Sequence, residues 1–455
     1  MNKLSLPLLI LSISLYIPVS YSAGFAIQEQ SASALGRAIS GNAAIAENAS
    51  TIFYNPAGLS YIQHRQLTFG SNFIIADSQY TDNGSTTSLG TPMPGREGDI
   101  NFFVNNSGNY AFLPSFFYAH RLNQQWVAGI GVTSPYGLSN EYDDDWFGRY
   151  HAIRSSLIGF NINPSIAFKP NEKLSIGFGI SSQYSEIELS NAVDFGSLCA
   201  GEVLLTGNPA LASCATPLAH DGKLIIDGDD WAWGYNFGVI YQANNATRLG
   251  MAYRSMIAHN FKGRGNVTIP DSATAINNGV TDYSSADTFG SLRLPETISA
   301  SIFHQLDTKW SLTGDITWTK WSRFQSLDIQ SESTNPLLNT SELQNWKNSF
   351  RLSIGMDYRY SAKWTFRTGF AYDETPIRKA ERGARIPGGD RRWISIGSTY
   401  TLSPQWQIDM AYAHVFFRDN LQVNSILDPQ LPHQLNGEYN VSTDIISIQL
   451  NWSIE

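Results

Sequence analysis

Charge is scarce in this sequence, and no basic run or patch of Lys and Arg stands out in it. Asp, Glu, Lys and Arg make up 15% of the 455 residues, and the formal net charge is −9. Proteins that bind nucleic acids carry basic runs or patches that neutralise phosphates. The composition therefore argues against a nucleic-acid partner.

Cysteine and ligand-binding motifs are scarce as well. Cys199 and Cys214 lie in a stretch rich in Gly, Pro and Ala that has no paired histidines. In an oxidising compartment we expect them to form one loop disulfide, with two free thiols as the alternative. The acidic runs 143–145 and 227–230 lack the spacing of a calcium-binding hand, so we expect solvated acidic loops. The sequence thus predicts neither a metal nor a cofactor.

Long apolar runs are missing after the first 23 residues. Within those residues, Lys3 is followed by an apolar stretch and a small-residue end at 20–23, which is typical of a secretory signal peptide over 1–23. A transmembrane helix is the alternative, but Pro7 and Pro18 interrupt the stretch and no basic flank follows. An exported chain without a spanning helix is either soluble or crosses the membrane as a closed barrel.

Strict alternation of side chains is what the sequence has in abundance. In WTFRTGFAY, residues 364–372, aromatic residues alternate with a second set that contains Arg367. Successive side chains of a strand point to opposite faces, so one face of this strand is apolar and the other accepts a charge. Fourteen segments are candidates for such strands: 65–79, 108–121, 125–134, 154–168, 173–189, 231–243, 246–262, 292–306, 310–318, 347–360, 364–372, 391–402, 406–412 and 440–454.

The connections between these segments alternate between short and long. Short polar turns precede four tryptophans, and long polar segments such as 190–230 and 263–290 separate other strands. The four tryptophans are Trp126, Trp310, Trp364 and Trp406. Interfacial aromatics, short turns on one side and long loops on the other are typical of an outer-membrane barrel. We therefore predict an all-β fold, a fourteen-stranded antiparallel transmembrane β-barrel over 63–455, with the aromatic face in lipid and Arg367 in a wet lumen.

The segment before the first strand differs from the rest. Residues 31–60 are rich in Ala, Gly and Ser and lack the period-two alternation. A barrel of fourteen strands without a plug would be an open pore. We therefore predict that residues 24–62 form an N-terminal hatch of short helices that plugs the lumen.

Several motifs along the chain resemble one known family. The stretches are AGFAIQEQSASALGRAISGNAAIAENAS (23–50), NPA (55–57), SPYGLSNEYDDDWFGRYHA (134–152), WTFRTGFAYDETPI (364–377) and RIPGGDRRW (385–393). Together they resemble the FadL family of outer-membrane transporters for long-chain fatty acids and other hydrophobic compounds. The resemblance covers the whole mature chain. It implies a fourteen-stranded barrel with a hatch, and a diffusion route that leaves sideways through the barrel wall.

The resemblance also implies where this lateral route lies. In the family, an inward kink in the third strand opens a gap beside an Asn-Pro-Ala sequence of the hatch, and the N-terminal segment blocks or lines the ligand pocket. The matching residues here are Asn55, Pro56 and Ala57, then Pro135, Tyr136 and Gly137, and finally Phe25 against the ligand. Proline removes a ladder donor and glycine tolerates a bend, so hydrogen bonding is interrupted there. Without the resemblance, the two motifs would be interpreted as a turn and a loop start.

One departure from the family concerns the substrate carboxylate. Its best-known members hold the carboxylate with basic side chains near the end of the fifth strand and in a later extracellular loop, where this chain has Leu189 and the region 341–342. The remaining candidates for a carboxylate site are Arg149, Arg367, Arg391 and Arg392. For each of them, the alternative is a lumen charge paired with Asp or Glu. Neutral aromatic or aliphatic hydrocarbons therefore stay open as substrates.

Two other classes of function compete with transport. The eight histidines are scattered, and no G-x-S-x-G motif is present, so we do not expect an enzyme; a Ser, a His and a carboxylate that converge in the fold would be the contrary sign. A general porin or an adhesin is the second alternative. We predict a passive outer-membrane channel for hydrophobic small molecules, with long-chain fatty acids as the first substrate hypothesis. We expect a monomer surrounded by outer-membrane lipid and lipopolysaccharide.

Overall fold

The computed structural model describes residues 24–98, 100, 110–418, 421–426 and 433–454. The proposed signal peptide, residues 1–23, lies outside the described residues. In the described part of the chain, none of the helices combines the length and the apolar character that spanning a membrane requires.

A single closed antiparallel sheet of fourteen spanning strands forms the barrel, which confirms the predicted fold class. Six of these strands are interrupted, so the hydrogen-bonded segments are numbered β1 to β20. Their bounds are β1 (Arg65–Asp82), β2 (Tyr110–Arg121), β3 (Trp126–Thr133), β4 (Leu138–Glu141), β5 (Arg154–Asn171), β6 (Leu174–Asp194), β7 (Asp221–Gln242), β8 (Thr247–Arg254), β9 (Ile257–Thr268), β10 (Ala286–Leu294), β11 (Thr297–Gln305), β12 (Trp310–Thr319), β13 (Ser326–Gln330), β14 (Thr340–Leu343), β15 (Ser349–Arg359), β16 (Trp364–Asp373), β17 (Arg391–Ser403), β18 (Trp406–Phe417), β19 (Leu421–Ile426) and β20 (Gln434–Ile454). β1 pairs with β20 from Arg65 to Asp82, and this pairing closes the barrel.

The two faces of the strands are oriented as the alternation predicts. On β16, Phe366 and Phe370 are each 44% exposed on the outside, whereas the Arg367 side chain is 7% exposed in the lumen. Lumen positions on neighbouring strands carry buried serines and threonines such as Ser353 and Thr399. The apolar surface is therefore outside, where lipid covers it, and the polar surface is inside.

The four tryptophans that follow short turns form a band at one end of the barrel. Each ring lies against an aromatic ring of the neighbouring strand. The distances between ring centroids are 4.5 Å for Trp126 and Phe168, 4.3 Å for Trp310 and Tyr358, 4.6 Å for Trp364 and Tyr400, and 5.0 Å for Trp406 and Trp452. Such paired amphipathic rings suit the headgroup region of a bilayer.

At the other end, the strands continue further than the alternation predicts. β6 runs to Asp194 and β7 begins at Asp221, so only the middle of the predicted loop 190–230 is a loop. The prediction that the acidic run 227–230 lies in a loop is wrong, because these residues belong to β7. Beyond the lipid the backbone ladder still satisfies the polar groups, while the outer face no longer has to be apolar.

The extracellular connections contain short helical pieces. Helix α4 (Phe195–Thr206) opens the loop after β6, and a disulfide joins Cys199 to Cys214 with an S–S distance of 2.10 Å. The remaining pieces in these connections are 3-10 helices at Pro209–Leu211, Asp271–Asn278, Pro336–Leu338 and Lys379–Glu381. A further 3-10 helix, Trp321–Arg323, interrupts a spanning strand between β12 and β13.

The hatch inside the lumen consists of three four-residue helices and a 3-10 helix. They are α1 (Ala32–Leu35), α2 (Asn42–Ile45), α3 (Thr51–Tyr54) and the 3-10 helix Pro56–Tyr61. Helices this short are not stable alone, so contact with the wall holds them. Glycines of the wall make room for this contact: a Cβ on Gly238 would lie 1.8 Å from Asn55 Oδ1, and a Cβ on Gly250 would lie 1.9 Å from the carbonyl oxygen of Ala43.

Candidate functional site

The barrel wall is open at the interruption between β3 and β4. β3 pairs with β2 only as far as Val132 opposite Phe116, and β4 pairs with β5 from Leu138 to Glu141. Residues 110–115 of β2 pair with β1, and among the described strands none continues their ladder on the other side. A gap in the wall therefore lies between the upper half of β2 and the kinked strand.

The N-terminal segment, residues 25–30, covers this gap, and we refer to it as the strap. Ile27 N donates to Pro135 O at 2.8 Å, Gly137 N donates to Phe25 O at 2.8 Å, and Ala26 lies opposite Tyr136 as in an antiparallel pair. The kink thus finds in the strap the hydrogen-bond partners that β2 does not provide.

Gln30 at the end of the strap connects the two sides of the gap. Its side-chain Nε2 donates to Ser134 O at 3.0 Å, and its carbonyl oxygen accepts a hydrogen bond from Ser115 Oγ at 2.9 Å. Ser115 belongs to β2 and Ser134 to the kink. The strap therefore bridges the opening through side-chain bonds that a displaced strap would lose.

Phe25 lies in an aromatic chamber on the lumen side of the kink. Its side chain is 2% exposed, and its ring centroid lies 4.9 Å from that of Trp321, 5.6 Å from Trp346 and 5.7 Å from Phe324. Tyr136 of the kink is the fourth ring, at 6.3 Å. The sequence analysis missed the two tryptophans as chamber residues, although Trp321 stands at a break in strand alternation.

Apolar side chains lead from the chamber to the gap. Ile27 of the strap belongs to a buried cluster with Ala111 and Leu113. These two residues lie on the part of β2 that pairs with β1 but not with β3. Ile158 and Phe160 of β5 pack against the same cluster from the other side of the kink. The gap is thus bordered by apolar side chains, with the strap lying across it.

The Asn-Pro-Ala sequence anchors the hatch to the opposite wall. Asn55 Nδ2 lies 3.2 Å from the carbonyl oxygens of Val239 and Met251, and Asn55 Oδ1 accepts a hydrogen bond from Ala57 N at 3.0 Å. Ser175 Oγ donates to Ala57 O at 2.7 Å. The motif therefore fixes the lower hatch to β6, β7 and β8, away from the strap.

A cavity of about 80 Å³ lies between the anchored hatch, the strap and the kink. Its lining includes Ala26, Ile27, Phe53, Pro56, Pro135, Tyr136 and Arg254, together with wall hydroxyls of Thr297, Ser299, Thr317 and Thr319. Pro56 and Pro135, which the family resemblance pairs, thus face the same space. Arg254 was not singled out from the sequence, because a lumen-facing arginine on a barrel strand is ordinary.

Two of the arginines predicted as carboxylate sites form ion pairs within the protein. Arg149 lies in the loop after β4, where its Nε is 2.8 Å from Asp221 Oδ2. Arg391 begins β17 in the lumen, where its Nη2 contacts Asp373 Oδ2. A carboxylate of the protein therefore neutralises each, and their role toward a ligand stays a prediction.

Arg367 belongs to a charged network that joins the hatch to the barrel. Its guanidinium lies 3.1 Å from Glu47 of the hatch, 3.5 Å from Asp357 on β15 and 3.5 Å from Asp409 on β18. Arg37 of the hatch pairs with Glu47 as well and lies 3.1 Å from Asp357. We refer to these five residues as the latch, because they tie the lower hatch to the wall by charge.

The other predicted positions do not place an unpaired positive charge in the lumen. Arg392 is exposed on the outer face next to the buried Arg391, so the prediction that it faces the lumen is wrong, because alternation turns it to the opposite side. Leu189 is buried in an apolar cluster beneath the loops, and Glu342 accepts from Arg385 at 3.1 Å.

Extracellular loops cover the mouth of the lumen. Tyr142 stacks on Trp146 at 3.8 Å, and its hydroxyl donates to Ala384 O at 2.7 Å. His151 lies in the same loop, with Nε2 3.1 Å from His433 O. Burial lowers the pKa of His151 to about 3, so the ring is neutral at physiological pH. The roof is therefore held by aromatic contacts and neutral hydrogen bonds.

A serine, a histidine and a carboxylate do converge in the upper lumen. Ser185 Oγ lies 3.2 Å from His259 Nε2, and His259 Nδ1 lies 3.2 Å from Asp230 Oδ2. Ser185 and His259 are 2% and 1% exposed, and β6 is paired with β5 and β7 at this point, which commits its amides to the sheet. Hydrolysis needs free donors for an oxyanion beside the nucleophile, and this buried ladder offers none at Ser185. Among the described residues, no group of His, Cys, Asp and Glu is placed to hold a metal ion.

Comparisons with known proteins agree on one family. Residues 14–454 match the model of the family described as outer membrane protein transport protein (OMPP1/FadL/TodX). The chain is 30% identical to the long-chain fatty acid transport protein of Escherichia coli K12, over 90% of this chain and 91% of that protein.

Solved structures share the architecture. The crystal structure of a Pseudomonas aeruginosa FadL homologue superposes with a TM-score of 0.85 at 26% identity, over 95% of this chain and 100% of that chain. The Pseudomonas putida toluene transporter TodX superposes with a TM-score of 0.66 at 18% identity, over 90% and 94% of the two chains, and shares the fold.

Proposed function

The chain belongs to the OMPP1/FadL/TodX family of outer-membrane transporters of hydrophobic compounds, and we propose that it is a passive channel that delivers long-chain fatty acids sideways into the membrane. The name of the Escherichia coli relative supports this substrate. Its relatives are transport proteins and not enzymes. We further propose that it acts as a monomer in contact with lipid and lipopolysaccharide.

The gap beneath the strap is the observation that carries the proposal. A wall that only had to contain water would keep its ladder intact, because each lost hydrogen bond leaves a backbone group unsatisfied. Here the kink does not pair with β2, and the strap takes the place of β2 with two main-chain bonds, at Pro135 and Gly137. A segment held by so few bonds can leave, and the opening then connects lumen and lipid.

The chemistry of the substrate favours a lateral exit. Exposing an alkyl chain to water costs about 0.8 kcal/mol per methylene group, so a long chain released into the periplasm would face a barrier of several kcal/mol. The lining of Ile27, Leu113 and Phe160 lets the chain pass from chamber to bilayer without that exposure.

The proposed order of events has three steps. The loops capture the molecule at the mouth, the aromatic chamber around Phe25 holds its apolar part, and displacement of the strap opens the gap beside Gly137. The latch and the Asn55 anchor keep the lower hatch in place throughout, so the lumen stays closed toward the periplasm. No energy source is needed, because the molecule moves down its gradient.

Uptake of labelled oleate by cells that lack their own transporter and express this chain tests the proposal, with labelled toluene as comparator. We expect oleate uptake, and we expect Gly137→Trp to reduce it roughly tenfold, because residue 137 is buried against the strap and an indole there obstructs the gap. Gly201→Trp is the matched control, since a side chain there meets open space.

The other outcomes separate the alternatives. Uptake of toluene without oleate would assign the chain to neutral hydrocarbons. If neither compound enters, the porin and adhesin hypotheses return. Oleate uptake that is unaffected by Gly137→Trp would keep the substrate and refute the lateral exit.

A further inference from the structure

Arg254 is an arginine in the lumen that has no carboxylate partner among the residues that the structure describes. It is the last residue of β8, and its Nη2 donates to Phe53 O at 2.7 Å in the hatch. Its Nη1 is buried and finds no hydrogen-bond partner among the described residues. The guanidinium lies 4.6 Å above the ring of Phe53. In contrast, acids face Arg37, Arg367 and Arg391.

An unpaired guanidinium in this place calls for an anion. Removing a charge from water costs several kcal/mol unless a counter-charge and hydrogen bonds replace the solvent. Arginine does not escape this cost by losing its proton. The Phe53 carbonyl and ring compensate only one side of the group, so the buried Nη1 is left for a partner that the described part of the chain does not provide.

The cavity beside Arg254 has the shape and chemistry for a small planar anion. Its volume of about 80 Å³ exceeds the roughly 10–15 Å³ that a single water needs, so a carboxyl group fits with room for the first methylenes. Thr297, Ser299, Thr317 and Thr319 supply hydroxyls along one wall. Ala26 and Ile27 of the strap line the opposite side, which leads to the gap.

We infer that Arg254 binds the carboxylate of a fatty acid inside this cavity while the alkyl chain lies in the gap beneath the strap. The inference rests on the proposed function and adds to it a binding site. The planar guanidinium matches a carboxylate through two parallel hydrogen bonds, one of them from Nη1. Because the head group is held in the lumen, the hydrocarbon tail enters the bilayer first. Neutral hydrocarbons gain nothing from this site.

Arg248 provides a matched control on the same strand. It also forms a hydrogen bond to the hatch, from Nη1 to Ile45 O at 2.7 Å, and it also lies over an aromatic ring, Tyr61, at 4.8 Å. It does not line the cavity described above. Its substitution removes the same positive charge from the lumen without touching the inferred site.

The test measures binding of oleate and of methyl oleate to the purified full-length protein in detergent. For Arg254→Met we expect oleate to bind roughly tenfold more weakly or worse, with methyl oleate unchanged, because only the charged head group loses its partner. Arg254→Lys should recover part of the loss. Arg248→Met should bind both ligands like the wild type, and a heat-dependent gel shift verifies that every variant is a folded barrel.

The outcomes distinguish this site from the proposed function. Wild-type binding of oleate that Arg254→Met leaves unchanged would overturn the site and keep the fatty-acid channel. If Arg254→Met and Arg248→Met weaken oleate binding equally, the site is refuted, and a general positive potential of the lumen explains the binding instead. Wild type that binds neither ligand would overturn both proposals.

Discussion

Asn55 shows how one side chain can set the position of a whole segment. Its amide group bridges the carbonyls of Val239 and Met251 on adjacent strands, and Gly238 opposite it has no side chain to obstruct the approach. Backbone carbonyls in a sheet otherwise accept hydrogen bonds from the N–H groups of neighbouring strands, so a side-chain donor that reaches two of them ties the hatch to both strands. The lower hatch is thus held by neutral hydrogen bonds as well as by the latch.

At the same scale, the cluster of Ser185, His259 and Asp230 makes a prediction about what the protein does not do. The distances suit proton transfer, but Ser185 is buried within a continuous ladder. We expect no labelling of the folded barrel by a fluorophosphonate probe, and Ser185→Ala should leave oleate uptake within about twofold of wild type, since the cluster only satisfies buried polar groups.

This interpretation would be contradicted if the probe labels the folded wild-type barrel and Ser185→Ala abolishes that labelling. A known serine hydrolase treated in parallel shows that the probe is active. Ser190→Ala is the matched control for uptake, since Ser190 is a second serine of β6 that is 2% exposed and lies outside the cluster.

At the scale of elements, the kinked strand and the strap act as one unit. β3 and β4 both pair with β5, but the register shifts by one residue between them, and the four residues 134–137 leave the wall opposite three residues of β5, 158–160. The strap lies beside these four residues and pairs with them. The wall is therefore completed by the N-terminal segment that precedes β1. In the proposed lateral route, opening and closing therefore depend on this short antiparallel contact and on the Gln30 bonds beside it.

This contact can be locked. Ala26 and Tyr136 face each other in a pair flanked by hydrogen bonds at Ile27 and Gly137, the arrangement in which side chains of two strands lie closest. We expect Ala26→Cys combined with Tyr136→Cys to form a disulfide and to reduce oleate uptake roughly tenfold, because the strap then cannot leave the gap. Adding a reductant should restore uptake.

Each single substitution serves as a control for this experiment. The wild type with reductant accounts for loss of the Cys199–Cys214 bond. Full uptake with the strap cross-linked would show that molecules pass by another path.

At the scale of the whole molecule, we predict that the hatch decides whether the barrel is a pore. The latch and the Asn55 anchor connect hatch and wall on opposite sides of the lumen. Deleting residues 24–62 removes both and also the strap. We expect the shortened barrel to conduct ions in a planar bilayer roughly tenfold or more above the full chain, because fourteen strands enclose more space than their side chains fill.

The shortened chain must still assemble for the result to count. A heat-dependent gel shift and a strand-rich circular dichroism spectrum verify this. Conductance equal to that of the full chain would mean that the loops above the lumen, and not the hatch, close it.

The sequence by itself determined the architecture. Period-two alternation is a property of consecutive residues. Each strand needs an apolar face toward lipid, and this need produces the alternation, as Phe366 and Arg367 illustrate on β16. The fourteen segments, the orientation of their faces and the plug-like character of residues 31–60 followed from this local pattern. The resemblance to the family added two predictions, a kinked strand at Pro135 and a position of Phe25 against the ligand.

Only the tertiary structure decided which charges are free. Arg367 and Arg254 look alike in the sequence, as basic residues on alternating strands. Barrel closure and hatch packing bring Glu47, Asp357 and Asp409 to Arg367, whereas no acid of the described segments pairs with Arg254. These partners lie far apart along the chain, so their distances depend on strand register and hatch position, which alternation does not encode.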